Sequence, residues 1–205
     1  MSADYYKTIS KTSEALYKEK GSKFFAFAFP VQNEEEVKEN LEALRKQYYD
    51  ARHHCYAYIY GVNGEHYRAN DDGEPNHSAG DPILGQIKSK ELTNTLVVVV
   101  RYFGGTKLGV SGLISAYKIA TAEALDLNEI IEKPITQSFT LDFPYEEMNE
   151  VQRLVKELDL EITNQTFEIA CSMEVDVLLS KVEVFESKVQ LLQDLSHDIK
   201  LTSNG

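Results

Sequence analysis

The residues best suited to chemistry lie between Arg101 and Gly112, which read RYFGGTKLGVSG. A β-branched apolar run ends near Phe103. Glycines follow at Gly104, Gly105, Gly109 and Gly112, and a helical pattern then begins. Glycine lets a backbone turn sharply and approach a ligand closely. A helix start behind such a loop presents free N–H groups and a positive dipole end to an anion. Arg101, Lys107 and Lys118 supply cations, and Ser111 is a candidate helix cap or phosphate contact. Tyr102 and Phe103 either stack on a base or pack in the core. The stretch is not a P-loop, because the Gly-Lys-Ser/Thr ending is absent, and it does not match G-x-G-x-x-G. Two readings stay open: an anion site, or a tight strand-to-helix connection whose glycines serve packing.

A second cluster runs from Asp71 to Leu84, DDGEPNHSAGDPIL. Calcium needs a longer ladder of oxygen ligands than Asp71, Asp72 and Glu74 offer, and zinc needs three or four converging nitrogens or sulfurs. A polar loop leading into a capped helix is expected. Pro75 and Pro82 would stiffen it, which also suits a recognition surface, with Asp72, Glu74, Pro75, His77 and Ser78 as candidate contacts. The third cluster is Arg52-His53-His54-Cys55-Tyr56. On a strand His53 and Cys55 share one face and His54 takes the other, so too few ligands converge for a metal. Cys55 among tyrosines reads as a small buried apolar residue rather than a nucleophile. No catalytic residue, metal or cofactor is expected.

The elements that must position these residues follow from the pattern of the chain. Its 205 residues allow one or two domains. Asn33 with Glu34, Glu35 and Glu36 opens a helix whose buried face carries Val37, Leu41, Leu44 and Tyr48. The strands expected around it are Lys23–Phe29, Cys55–Tyr60, Glu65–Ala69 and Thr95–Tyr102. The last, with four successive valines, reads as buried on both faces. Helices are predicted over Ser78–Lys90 and from about Ser111 to Leu127. The pattern restarts near Pro134, which divides the chain into domains 1–133 and 134–205. The second reads strand (Ile135–Phe143), helix (Pro144–Leu158), strands (Leu160–Phe167 and Glu168–Asp176), helix (Val177–Leu195) and strand (Asp198–Thr202). That βαββαβ order is a ferredoxin-like split βαβ unit in an α+β protein.

Charge narrows the partners. The chain carries −12 at neutral pH, which argues against binding nucleic acid through overall charge. From Gln86 to Ala120, however, five cations face one acid, Glu91; that window is +4, and −12 less +4 leaves −16 elsewhere. The two cysteines, Cys55 and Cys171, form no framework and fit a reducing cytosol. No signal peptide and no membrane span are expected, so a cytoplasmic protein without membrane contact is anticipated.

Three segments, ARHHCYAY, DDGEPNHSAGDPIL and VVVVRYFGGTKLGVSGLISAY, stand in the order and spacing of the family called IMPACT in animals and YigZ in bacteria, which this chain resembles. The family usually has Ser-Gly-Thr where this chain has Asn76-His77-Ser78, so a turn that needs positive φ would place it on His77. The resemblance implies an N-terminal domain like the second domain of the fifth small-subunit ribosomal protein and domain IV of elongation factor G. It implies a C-terminal domain like the ferredoxin-like domain V of that factor. By analogy it implies a non-catalytic regulator of translation that contacts RNA or the ribosome through the basic glycine-rich face. Eukaryotic relatives act on a kinase through an additional N-terminal domain with no counterpart in these residues, so a bacterial-type two-domain member is expected. Two alternatives stay open: a small-molecule phosphate- or nucleotide-binding enzyme using the same loop, or a module that grips a protein partner.

Overall fold

The computed structural model describes residues 4–168 and 170–204. The chain divides into two compact units, 6–133 and 134–204, the second also holding Asp4 and Tyr5. Asp4 accepts hydrogen bonds from the Ser180 backbone N–H and hydroxyl at 2.8 and 2.6 Å, which draws it to that unit.

The N-terminal unit contains strands β1 (Tyr5–Ile9), β2 (Ser13–Glu19), β3 (Ser22–Pro30), β4 (His53–Tyr60), β5 (His66–Asn70), β6 (Thr95–Tyr102) and β7 (Ile130–Pro134). Its helices are α1 (Glu34–Gln47), α2 (Gly80–Ser89) and α3 (Gly109–Asp126). An antiparallel sheet in the order β2-β3-β6-β4-β5 places the valine strand β6 at its centre. Val97 and Val99 face a core with Ile83, Ile87, Leu113 and Tyr117 from α2 and α3. Leu96, Val98 and Val100 face a second core with Val37, Leu41 and Leu44 from α1. A strand covered on both sides has no solvent face to make polar, which explains the unbroken apolar run.

The helix start at Asn33 has a direct cause. Its backbone is extended, and its side chain accepts the Glu36 N–H at 2.9 Å. The Glu36 carboxylate reaches back to the Gln32 N–H at 2.8 Å. Two otherwise unpaired donors are thereby satisfied.

The C-terminal unit contains β8 (Thr136–Pro144), α4 (Met148–Leu158), β9 (Glu161–Phe167), β10 (Ala170–Leu178), α5 (Val182–Asp194) and β11 (Lys200–Ser203). The sheet order β11-β8-β10-β9, antiparallel throughout, is that of a split βαβ unit. Phe139, Leu141, Phe143, Met173, Val175 and Val177 pack with Val151, Leu154, Phe185 and Val189 of the helices. The opposite face of the two central strands pairs Asp142 with Ser172, Thr140 with Glu174 and Ser138 with Asp176. That face is polar and acidic.

Element boundaries differ from the sequence reading by a residue or two at most ends, and four differences matter for the fold. Ile130–Pro134 forms a strand paired with β1, an element the sequence reading did not include. Helix α3 begins at Gly109, two residues before Ser111. Pro144 ends β8 with extended backbone (φ −73°, ψ 158°), so α4 starts only after a single 3-10 turn, Tyr145–Glu147. Val177 is a buried residue of β10, which runs on to Leu178, and α5 starts at Val182.

Replacing Asn33 with Ala removes the acceptor for the first turn of α1. We expect it to destabilise the N-terminal unit by about 1 kcal/mol, and Asn33→Ser to retain most of that. Urea denaturation of the purified chain measures both; an unchanged midpoint for the alanine variant dismisses the cap.

Candidate functional site

Strand register decides which side chains meet. His53 opens β4 opposite Arg101 of β6, and Lys23 of β3 stands opposite Tyr102. The end of β6 therefore gathers the start of β4, the start of β3 and the glycine loop. Asp50, Arg52, His53, Arg101, Tyr102, Phe103 and Lys107 line a cleft of about 500 Å³ there. A neighbouring cleft of about 360 Å³ is lined by Gly21, Lys23, Phe25, Tyr48, Asp50, Tyr102 and Phe103. The two share Asp50, Tyr102 and Phe103. Arg52 and Lys107 are exposed, and among the described residues neither forms an ion pair. The Tyr102 hydroxyl donates to Asp50 at 2.6 Å, which together with burial pushes the phenol up to about 12.

Arg101 departs from the expectation of a free cation. Its side chain is only 8% exposed, and Nη1 donates to the Glu74 carboxylate at 2.6 Å. The same Glu74 oxygen accepts the Tyr117 hydroxyl at 2.8 Å. The Cys55 thiol lies 3.3 Å from that hydroxyl and 3.0 Å from the Asp71 carbonyl. Four side chains from β4, β6, α3 and the Asp71–Ala79 loop are thus tied in one buried network. Burial pushes the Cys55 thiol well up, so it is protonated and no nucleophile. Burial likewise raises the Tyr117 phenol. Arg101 keeps one buried donor, Nε, without a partner. Its guanidinium carbon lies 5.5 Å from the Phe24 ring centre and 5.8 Å from that of Phe103.

The glycine loop is held from the side. A Cβ at Gly104 would lie 1.9 Å from the Gly21 carbonyl carbon and 2.0 Å from the Ser22 nitrogen, so only glycine fits. Gly104 N–H donates to the Ser22 hydroxyl at 3.1 Å. Gly105 follows in the loop, whereas Gly109 and Gly112 belong to α3. Ser111 is the third residue of that helix and does not cap it; the capping position is Leu108, and no side chain accepts there. Lys118 is exposed on α3 and lines neither cleft.

The Asp71–Asp81 loop serves the fold. Burial opposes the charge on Asp71, but the N–H groups of Gly80, His77 and Ala79 outweigh it and hold the carboxyl below its usual range. Those bonds measure 2.8, 2.8 and 3.0 Å, and they tie Asp71 to the chain entering α2, the Gly80 N–H being the first of that helix. Glu74 and Ser78 are buried, Ser78 donating to the Pro75 carbonyl at 2.6 Å. Asp72 accepts the His54 N–H at 2.7 Å. Glu74 and Ser78, expected as loop contacts, are thus engaged internally, while the Asp72 side chain stays 30% exposed. Pro75 and His77 remain exposed. His77 bears a φ of 63°, the left-handed backbone anticipated at that turn. His54 lies on the α1 side of the sheet, where burial lowers its pKa despite nearby Asp72. No group of three potential metal ligands occurs among the described residues.

Sequence reasoning missed Asp50, Arg52, His53 and Lys23 as cleft residues. Arg52 and His53 stood in a motif weighed for a metal or a Cys/His nucleophile, not for an anion. What brings them to Arg101 is strand pairing over some fifty positions, which local periodicity does not encode.

Two outcomes follow. Glu74→Gln keeps an oxygen for Tyr117 but leaves the Arg101 charge buried alone; we expect a loss of roughly 3 kcal/mol in urea unfolding, largely recovered by adding Arg101→Met. Equal stability of Glu74→Gln and the parent removes the pair from its central role. For His77, the hydrogen bond to Asp81 at 2.6 Å, and then its charge, raises the imidazole above its ordinary 6.5. That stabilisation is full below 6.5 and fades as pH rises through the raised value. An NMR titration should place His77 above 6.5 and return it towards 6.5 in Asp81→Asn; identical curves dismiss the pair.

Comparison with known proteins places this architecture. The family model named Impact N-terminal domain matches residues 20–125, which contain both clefts and the buried network. IMPACT family member YvyE of Bacillus subtilis is 36% identical over 160 residues, 75% of this chain and 74% of that protein. IMPACT family member YigZ of Escherichia coli is 32% identical over 173 residues, 83% of this chain and 84% of that protein. A crystal structure of a hypothetical protein superposes with a TM-score of 0.70 at 27% identity, over 98% of both chains. With strands β3 to β6, the glycine loop and the Glu74–Arg101 pair inside the matched segment, and two relatives above 30% identity over most of the chain, the chain belongs to the IMPACT family.

Proposed function

We propose that this chain is a non-catalytic, cytosolic regulator of translation that associates with RNA or the ribosome through the cleft at the end of β6. The observation that carries the reading is the pair of unneutralised cations, Arg52 and Lys107, beside exposed Phe103 on a chain of net charge −12. A polyanion is repelled by most of such a surface, and at this cleft it meets two unpaired cations beside an aromatic ring. The acidic face of the C-terminal sheet supports the same choice, since phosphates would avoid Asp142, Glu174 and Asp176. We further propose that the N-terminal unit is organised like the second domain of the fifth small-subunit ribosomal protein and domain IV of elongation factor G. The C-terminal unit would correspond to domain V of that factor. Both likenesses favour a ribosomal setting by analogy.

Ribosome co-sedimentation and RNA filter binding at two salt concentrations test this. Affinity should fall with salt, and Arg52→Ala and Lys107→Ala should each flatten the log–log slope by about one. Affinity indifferent to salt, or no binding at all, overturns the reading. A partner that survives nuclease treatment of a pull-down would point to the protein-binding alternative, and thermal stabilisation by free nucleotide to the enzymatic one.

A further inference from the structure

We propose, resting on the translation-regulator reading, that the two clefts bind a single strand of RNA that straddles the Tyr102–Phe103 ridge, with one base stacked on Phe103. Three observations converge on this strand state. Arg101 is nine-tenths buried, its Nη1 is engaged by Glu74, and its Nε lacks a partner while the side chain lines the larger cleft. A buried donor left unpaired is costly; Nε is closed to solvent here, so a phosphate or ribose oxygen would pair with it only once the Arg101 side chain shifts toward the cleft. Cations flank both clefts, Arg52 and Lys107 in one and Lys23 in the other, so successive phosphates find positive charge on either side of the ridge. Phe103 is 57% exposed although its ring is supported by the Arg101 guanidinium, which leaves a fixed aromatic surface open to solvent. Asp50 is the carboxylate shared by both clefts, and it accepts the Tyr102 hydroxyl.

The sizes agree, since about 360 and 500 Å³ fall within the range of roughly 300–1,000 Å³ common for small-ligand sites. A base inside a duplex is stacked on its neighbours and cannot reach a protein ring, whereas an unpaired one can. Two abutting clefts also favour a strand over a free mononucleotide, which would leave one of them empty.

Fluorescence anisotropy tests this with a labelled oligouridine of about ten nucleotides, a hairpin duplex of similar length, and UMP as competitor. The single strand should bind at least roughly tenfold more tightly than the duplex. Phe103→Ala should weaken it on the order of tenfold without changing the salt slope, and Phe103→Trp should restore binding. Equal affinity for the duplex, an unaffected Phe103→Ala, or UMP competing as well as the unlabelled strand overturns the inference. Phe103 is exposed, so its substitution does not threaten folding. Ribosome sedimentation with the same variants separates the two levels. Salt-sensitive association indifferent to Phe103 sinks this inference alone, and absence of any ribosome or RNA binding sinks the broader reading too.

Discussion

The N-terminal unit depends on the buried pairing of the Glu74 carboxylate with the Arg101 guanidinium. Either charge alone in that interior would be strongly destabilising, because the surroundings cannot replace the water it has lost. Together, with the Tyr117 hydroxyl on the same oxygen, they lock the Asp71–Ala79 loop onto the central strand and onto α3. The pair fixes geometry more than it adds stability, since apolar groups of the same shape could fill the space. Because Arg101 both holds the loop and borders the larger cleft, the internal order of the unit and the shape of its basic end are one problem.

Electrostatics then divides the molecule by task. The chain is strongly acidic, the C-terminal sheet carries carboxylates on the face away from its helices, and many other carboxylates are exposed. Against that background Arg52 and Lys107 are distinguished by place, since both line the cleft at the end of β6 beside the exposed Phe103 ring. A basic site on a basic protein would attract any polyanion; one on an acidic protein limits both the partner and its orientation. No helix among the described residues is long and apolar enough to cross a membrane.

Much of the architecture was legible because it is written in local signals. The valine run, the Asn33 cap and the glycine spacing each announce their element through chemistry within a few residues. The boundaries that shifted, at Pro144 and Val177, were those where a residue suits two neighbouring elements. Proline is at home at a helix start and also at a strand end, and only packing decides. The cleft was legible in part. Arg101, Tyr102 and Lys107 came from the motif itself, but Arg52, His53 and Lys23 reach it through sheet register. The neutralisation of Arg101 was hidden for the same reason, as Glu74 lies 27 positions away in a loop that reads as solvent-facing. Charge counts along a sequence cannot distinguish an ion pair from two independent ions.

The contact between Gly21 and Gly104 reaches beyond the loop it shapes. Turns between adjacent strands are ordinarily where a protein accepts extra residues with little penalty. The β2–β3 turn is different here, because its tip serves as the rest on which the glycine loop lies. Lengthening that turn would lift the rest away and let the basic end sag, because the contact it provides is backbone against backbone. Divergence in this protein should therefore accumulate length changes at other surface connections, while the number of residues between Glu19 and Ser22 stays constant.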